Sequence, residues 1–215
     1  MPKPATSCLI VFEGGEGAGK STQLQQALAW LPTQTQQPVM ATREPGGTPL
    51  GRELRQLLLS DRQLTDHTEL LLYAADRAQH IETVLRPALA AGYIVLCDRF
   101  IASTIAYQGY GRGLDLALIE QLNRIATDGL TSDLTLWFDL EVTLGLQRAR
   151  QRGERDRIEA ADLAFHQRVR QGFASLAAQE PERFTRIDAS GSIEMIAATV
   201  RAQITRFLEL QSPHD

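Results

Sequence analysis

Cysteine is scarce in this chain of 215 residues. The two cysteines, Cys8 and Cys97, both fall within apolar runs that predict buried strands. A metal site would need more ligands than these two thiols, so we expect both to pack in the core of a protein from a reducing compartment. The length is that of one domain with a sizeable core.

An excess of positive charge and a long apolar run are also missing. The formal net charge is −4, and a chain without a basic field is not expected to coat nucleic acid. The longest apolar stretch, residues 87–97, is too short to span a bilayer and contains Gly92. Residues 1–6 lead directly into the first predicted strand without a secretory signal. We therefore predict a cytoplasmic protein whose partners include neither nucleic acid nor membrane.

What the sequence does have is a regular alternation of strand and helix patterns. Apolar strands separated by helices predict a parallel sheet covered on both faces, with ligand sites at the carboxyl ends of its strands. Strands are predicted at 7–12, 38–42, 93–97, 134–139 and 184–188. Helices are predicted at 20–31, 49–60, 67–91, 115–127, 142–151, 159–179 and 192–210. We predict one α/β domain over residues 1–215, built on a five-stranded parallel sheet with helices on both faces.

A phosphate-binding loop lies between the first strand and the first helix. Residues 14–21 read G-G-E-G-A-G-K-S, the complete pattern G-x-x-x-x-G-K-[ST]. Its glycines let the backbone aim N–H groups at a polyphosphate, and the following helix adds the positive end of its dipole. Lys20 can reach the β- and γ-phosphates, and the Ser21 hydroxyl can complete a magnesium shell. The pattern predicts a P-loop NTPase-like fold whose ATP site is Gly14, Gly15, Glu16, Gly17, Ala18, Gly19, Lys20, Ser21 and Thr22.

A second segment with paired glycines follows the second predicted strand. Residues 42–48 read T-R-E-P-G-G-T. We expect Thr48 to cap the next helix, with Pro49 at its first position. Arg55 lies four residues after Gly51, so it can point back along this helix toward the ends of the strands.

The third predicted strand ends in Asp98-Arg99-Phe100. A carboxylate at the end of a buried strand beside a phosphate loop is the usual place for one that orders magnesium. Asp98 could instead cap the next helix. Arg99 offers a planar fork for phosphate oxygens. Several side chains that follow share one helical face and could read a base by hydrogen bonds: Ser103, Thr104, Tyr107 and Gln108.

Five arginines fall within residues 148–157 and are interrupted by Gly153. They could form a solvated helix end with ion pairs four residues apart. The arginine density and the glycine break favour instead a flap that closes over the transferring phosphate. We call residues 148–159 the lid segment.

Together these motifs resemble the thymidylate kinase family. Its signatures are a phosphate loop of the form E-G-x-E-G-A-G-K-[ST], then T-R-E-P-G-G-T, then D-R-[FYH], then a short lid. Here they stand in that order as residues 13–21, 42–48 and 98–100, followed by R-G-E and D-R-I-E in the lid segment. The resemblance runs from about residue 8 to residue 188. It implies transfer of the γ-phosphoryl group of ATP to dTMP, with Mg²⁺, in dTTP synthesis.

The resemblance also implies an acceptor site. Tyr73, at a position where the family often has Phe, would stack on thymine, and Arg77 would bond the carbonyl edge of the base. Tyr107 would crowd the ribose 2′ position, and Glu16 would face the sugar 3′-hydroxyl. Arg55 and Arg99 would hold the acceptor phosphate. The implied dTMP site is Glu16, Glu44, Arg55, Tyr73, Arg77, Arg99, Ser103, Thr104, Tyr107 and Gln108.

The chain is similar to a bacterial type of the family whose phosphate loop lacks an arginine. Residues 16–18 carry none, and the lid segment would supply it. The implied catalytic residues are Lys20, Asp98, Arg99, Arg150, Arg152 and Arg155, and the metal-ordering residues are Glu13, Ser21 and Asp98. Because members of the family are homodimers, we expect a homodimer.

Two other functions share part of this pattern. A kinase for another nucleoside monophosphate would have the same loop and lid, but Tyr73, Arg77 and residues 42–48 argue against it. A GTP-driven switch would need an N-K-x-D guanine reader, which the sequence lacks. Its D-x-x-G match at 188–191 lies in the last strand region, far from a switch position.

Overall fold

The computed structural model describes residues 7–151 and 157–211. Within those ranges, five strands form one all-parallel sheet in the order β2-β3-β1-β4-β5. The predicted fold class is confirmed, and the ends of the strands differ from the predicted ones by two residues at most. The strands are β1 Cys8–Gly14, β2 Val39–Arg43, β3 Ile94–Asp98, β4 Leu134–Asp139 and β5 Phe184–Asp188.

The described helices follow the predicted ones closely at most positions. They are α1 Lys20–Trp30, α2 Pro49–Leu59, α3 Asp66–His80, α4 Arg86–Ala90, α5 Ile101–Thr104, α6 Leu116–Thr127, α7 Val142–Arg150, α8 Leu163–Gln179 and α9 Ile193–Gln211. The N-cap role of Thr48 is confirmed, because its side chain accepts a hydrogen bond from Gly51 N. In these residues, no helix has the length and apolar character that crossing a membrane requires.

Three helix predictions need correction. The helix predicted at 67–91 is α3 and α4 joined by a wider π-helical turn, Ile81–Leu85. The helix predicted at 159–179 begins four residues later, because the Asp162 side chain caps it by accepting from Phe165 N. The predicted helices also omitted α5 and the π-helical turn Ile105–Gly111 that continues it.

The core lies on both faces of the sheet, because successive residues of a strand point to opposite sides. Ile10, Phe12 and Leu96 pack with α1 and α9 on one face. Val11 and Cys97 pack on the other face with α4 and the π-helical turn before it. Both cysteines are buried free thiols, as predicted.

The strand register brings three loops together at one edge of the sheet. Phe12 of β1 and Arg43 of β2 both lie opposite Asp98 at the end of β3. The phosphate loop and residues 44–48 therefore both begin beside Asp98. This edge is where the predicted site residues meet.

Candidate active site

A cleft of about 340 Å³ opens at the carboxyl ends of β1, β2 and β3. Its volume falls in the range of small-molecule sites. Four predicted site residues are not among its lining residues: Glu13, Gly14, Gly15 and Arg150. Arg152 and Arg155 lie outside the described ranges. The predicted site residues that line it are Glu16, Gly17, Ala18, Gly19, Lys20, Ser21, Thr22, Glu44, Arg55, Tyr73, Arg77, Asp98, Arg99, Ser103, Thr104, Tyr107 and Gln108.

Lys20 folds back onto its own loop. Its Nζ donates to the carbonyl oxygens of Gly14 and Gly15 at 2.9 and 2.7 Å. Burial and, to a smaller extent, the neighbouring Arg99 guanidinium lower the pKa of Lys20, nearby carboxylates oppose both, and the resulting pKa is about 8. The ammonium is thus held by two backbone acceptors, which phosphate oxygens can replace with stronger, charge-assisted bonds.

The phosphate loop packs closely against α7. Gly17 has a φ of +68°, and a Cβ there would lie 2.0 Å from the carbonyl oxygen of Gly145. A Cβ at Gly145 would lie 2.4 Å from the carbonyl oxygen of Glu16. Since neither position has room for a side chain, the two glycines permit the loop to rest on the helix.

Ser21 and Asp98 form a short polar pair beside this loop. The Ser21 hydroxyl donates to Asp98 Oδ2 at 2.7 Å. Among the described residues, no group of three or more His, Cys, Asp or Glu side chains could hold a metal ion alone. Mg²⁺ takes few protein ligands and completes its octahedron with water and substrate phosphate, so this pair of oxygens fits that ion.

Glu13 lies behind the wall of the cleft, at the start of α5. Its carboxylate is fully buried and accepts hydrogen bonds from Phe100 N, Ser103 N and the Ser103 hydroxyl at 2.8, 3.1 and 2.6 Å. Burial raises the pKa of Glu13, although these bonds and Arg99 oppose the shift. Glu13 therefore fixes the start of α5, and the alternative role of Asp98 as the cap of that helix is wrong.

Glu16 lies in a compact charged group with Arg99 and Tyr107. Arg99 Nη2 and the Tyr107 hydroxyl both donate to Glu16 Oε1, at 2.6 and 2.7 Å. Burial would raise the pKa of Glu16, but Arg99 and Lys20 outweigh it and lower the pKa to about 2. Glu16 is therefore a carboxylate at neutral pH, and Tyr107 is tied to it.

Arg99 reaches this group from an unusual backbone conformation. Its φ is +71°, in the left-handed region that disfavours side chains. The strand edge holds it there, since Arg99 N donates to the carbonyl oxygen of Phe12 at 3.1 Å. The side chain also donates to Gly14 O and to the Ser103 hydroxyl. Such a strained residue at a cleft is typical of functional sites.

Arg77 is more constrained than the prediction required. It is 2% exposed, and its Nε donates to Glu44 Oε2 at 2.8 Å. Its other hydrogen bonds to described residues go to the Thr104 hydroxyl, the Asn123 carbonyl oxygen and the backbone carbonyl of Phe100. These bonds use four of the five guanidinium N–H groups, counted against the described residues. Arg77 therefore has one donor for the cleft, and its predicted bond to the carbonyl edge of the base stays a prediction.

Glu44 acts through its neighbours as well. Its Oε1 accepts from His80 Nδ1 at 2.9 Å, while Oε2 is bound to Arg77. A carboxylate only accepts, so His80 carries a proton on Nδ1, and its Nε2 lies 2.6 Å from the Thr42 hydroxyl oxygen, within hydrogen-bond distance. Each Glu44 oxygen thus accepts one hydrogen bond from the protein, and through Oε2 Glu44 positions Arg77 at the cleft.

Asp76 holds the backbone of the same segment. Its Oδ1 accepts from Gly46 N at 3.0 Å. Burial raises the pKa of Asp76 to about 6, and the nearby Glu44 carboxylate adds to this shift. Helix α3 thus holds residues 42–48 through Asp76, which binds Gly46 N, and through Arg77 and His80, which bind Glu44.

The four predicted base-reading residues differ in what they can offer. The Ser103 hydroxyl donates to Glu13 and accepts from Arg99, so the structure does not leave its proton for a base. The Thr104 hydroxyl accepts from Arg77 and can still donate. Tyr73 is half-buried at the cleft wall. Gln108 is buried there and donates through Nε2 to Glu69 Oε1 at 2.8 Å.

The described flanks of the lid segment are bonded to other parts of the chain. Arg148 donates to Ala189 O at 3.0 Å. Arg157 donates to Leu58 O and pairs with Glu69 Oε2 at 2.5 Å. Arg150 is exposed at the end of α7. The alternative prediction was a helix end held by ion pairs four residues apart. Arg148 and Arg157 instead bind residues that are distant in sequence.

Sequence reasoning missed Glu69, a residue of α3 that is fully buried against Gln108 and Arg157. A signal for it exists, because Glu69, Tyr73 and Arg77 recur every four residues and so share one face of α3. It also missed Ile158 and Glu159, which line the cleft just after the lid arginines.

Comparison with known proteins agrees with this geometry. The family model described as thymidylate kinase matches residues 12–200. The chain belongs to the thymidylate kinase family. It is therefore a phosphotransferase of nucleotide biosynthesis, and the predicted family and enzyme class are confirmed.

Individual relatives cover nearly the whole chain. The thymidylate kinase of a Cyanothece species is 58% identical over 214 residues, covering 90% of this chain and 91% of the relative. That of Gloeobacter violaceus is 56% identical over 202 residues, covering 93% and 95%. The crystal structure of thymidylate kinase from Ehrlichia chaffeensis superposes with a TM-score of 0.78 at 35% identity, covering 93% of this chain and 98% of the other.

Proposed function

We propose that this member of the thymidylate kinase family transfers the γ-phosphoryl group of ATP to dTMP, giving dTDP and ADP in dTTP synthesis. One observation carries the proposal. Residues 16–21 of the phosphate loop and the side chains Tyr73, Arg77 and Gln108 line one continuous cleft. A polyphosphate on the loop would therefore face an aromatic and polar surface suited to a pyrimidine.

The chemistry requires charge compensation more than proton transfer. The second pKa of a phosphate monoester is near 6, so the acceptor is largely a dianion at neutral pH and needs no general base. Two polyanions must be brought into line, and the charge spread over the transferred group must be neutralised. The site supplies this with Lys20, the loop N–H groups and Arg99, and Arg55 lies at the cleft wall for the acceptor phosphate.

Magnesium belongs to the proposal. The Ser21 hydroxyl and the Asp98 carboxylate would hold the ion. The metal-ordering role of Glu13 stays a proposal, and its carboxylate also accepts hydrogen bonds from Phe100 N and the Ser103 hydroxyl. When bound, the ion would offset negative charge on the β- and γ-phosphates. Asp98 accepts the hydrogen bond of the Ser21 hydroxyl and thereby orients that hydroxyl beside the phosphate loop.

The sugar contacts remain proposals that the geometry supports. Glu16 is ionised and sits at the cleft wall, where it can accept from a 3′-hydroxyl. Tyr107 is held against Glu16, so its ring can close the space beside a ribose 2′ carbon. We also keep as proposals the catalytic role of Arg150, Arg152 or Arg155, one kinase domain, a homodimer and a cytoplasmic location.

A panel of nucleotide acceptors tests the proposal. ADP release would be followed with ATP, Mg²⁺ and one acceptor at a time. We expect dTMP to react best and dUMP less well, because the 5-methyl group adds about 1 kcal/mol of apolar contact. We expect dCMP, dAMP, dGMP and ribonucleotides to be nearly inactive. Equal turnover of dCMP or UMP and dTMP would contradict the proposal.

A further inference from the structure

We infer that Glu69 is a positioning residue that sets base specificity by fixing the orientation of the Gln108 amide. This inference rests on the proposed function, since it concerns which base the acceptor site takes. Glu69 lies in the first turn of α3 and is fully buried. Gln108 lies in the π-helical turn after α5 and lines the cleft.

Glu69 and Gln108 are joined by a short hydrogen bond in which only Gln108 can donate. Gln108 Nε2 donates to Glu69 Oε1 at 2.8 Å. The two ends of a Gln amide have nearly the same shape, so packing alone does not decide which end faces the cleft. A carboxylate has no proton to donate and therefore binds the NH₂ end. The Gln108 carbonyl oxygen is then the end left for a ligand.

The charge of Glu69 is secured by two arginines. Arg112 Nη2 lies 3.2 Å and Arg157 Nη2 lies 2.5 Å from Oε2. Burial would raise the pKa of Glu69, but the bond from Gln108 and the two arginines outweigh it, and the pKa is lowered. At neutral pH the carboxylate remains an acceptor, so the orientation of Gln108 is constant.

This orientation matches one class of pyrimidine. Thymine and uracil carry an N–H at position 3, which donates to a carbonyl oxygen, whereas cytosine has a bare nitrogen acceptor there. A carbonyl facing cytosine would meet an acceptor, and a buried polar site left unmatched discriminates strongly. Four of the five Arg77 N–H groups are bonded within the protein, so Arg77 has one donor left for the base. The Gln108 carbonyl oxygen therefore contributes much of the discrimination between bases.

Glu69→Gln separates this role from a merely structural one. The arginines will retain the carbonyl oxygen of the new amide, so its NH₂ end will face Gln108 and turn that side chain around. We expect the ratio of kcat/KM for dTMP over dCMP to fall about tenfold or more. Glu120→Gln is the matched control, because Glu120 is exposed and pairs with Arg124 four residues away on α6. It should leave the ratio unchanged.

A double-variant cycle identifies Gln108 as the intermediary. Gln108→Met should lower the same ratio, and adding Glu69→Gln to it should lower the ratio no further. A ratio that stays at the wild-type value in Glu69→Gln would overturn the inference, as would additive effects in the double variant. If wild-type protein itself fails to prefer dTMP over dCMP, the proposed function fails, which is a separate outcome.

Two further measurements apply if Glu69→Gln alone does not fold. Glu69→Gln with Arg112→Met removes one charge of each sign and should show the same fall in the ratio. A crystal structure of the wild-type protein with dTMP should place Gln108 Oε1 within hydrogen-bond distance of thymine N3, with Nε2 still on Glu69. An amide turned the other way would overturn the inference.

Discussion

Ser21 Oγ lies 2.7 Å from Asp98 Oδ2, across 77 residues of sequence. This bond joins the start of α1 to the end of β3 and exists because β1 and β3 are neighbours in the sheet. It brings together two oxygens that suit a magnesium ion shared with substrate phosphates.

Asp98→Asn should weaken the use of Mg²⁺. The amide keeps the shape of the side chain but loses its charge, so we expect the Mg²⁺ concentration for half-maximal activity to rise and kcat to fall roughly 10²-fold. Magnesium titrations of ADP release would measure both. Asp128→Asn, at an 87% exposed side chain, is the control and should behave as wild type. An unchanged magnesium titration would contradict the assignment of Asp98.

Lys20→Ala should fold normally and lose roughly 10³-fold or more in kcat. The ammonium is the charge that the phosphate loop itself brings to the transferring group, and in the ligand-free site it donates to the carbonyl oxygens of Gly14 and Gly15. Circular dichroism would check the fold and ADP release the turnover. Near wild-type turnover would refute the assignment of the phosphate loop.

The pKa of Lys20 predicts how ATP binding depends on pH. Burial lowers this pKa from 10.5 to about 8 in the ligand-free protein, and a bound triphosphate favours the ammonium and raises it again. Affinity for ATP should therefore be constant well below pH 8 and fall as the pH rises through pH 8 and above it. Calorimetry in buffers of different ionisation enthalpy should show proton uptake near pH 8.5. In Lys20→Ala this uptake should vanish, and its persistence would point to another group.

One of Arg150, Arg152 and Arg155 should be needed for turnover. Residues 16–18 of the phosphate loop carry no arginine, so the lid segment is the predicted source of a stabilising charge. Single changes to Ala should include at least one that lowers kcat roughly 10³-fold with little change in acceptor affinity. Arg206→Ala, on the exposed side of α9, controls for the loss of a positive charge. Full turnover in all three variants would contradict the prediction that the lid segment stabilises the transferring phosphate.

Glu44→Gln should destabilise the fold strongly. Glu44 is buried and bonded to both Arg77 and His80, and removing one partner of a buried ion pair costs about 3–5 kcal/mol. Urea unfolding followed by circular dichroism would measure this loss. Glu82→Gln is the control, because Glu82 is 66% exposed in a surface pair with Arg86 and such pairs contribute about 0–1 kcal/mol. Equal losses in both variants would mean that the Glu44 contacts contribute no more than a surface pair.

The sequence by itself determined the architecture and the phosphate site. Apolar strands separated by helices allow few arrangements other than a parallel sheet, and the complete phosphate loop has a shape that its own glycines encode. Local chemistry also determined the Thr48 cap and the burial of both cysteines. These features depend on neighbours in sequence or on the hydrophobic pattern, both of which can be read without coordinates.

The tertiary structure decided which polar groups remain available to a ligand. Glu13, Glu44 and Ser103 carry chemistry suited to a nucleotide site, yet each spends its hydrogen-bonding atoms on other parts of the protein. Glu69 has no motif of its own, and its contact with Gln108 spans 39 residues. A hydrogen bond depends on distances of a fraction of an ångström between distant segments, and only the packed fold sets such distances.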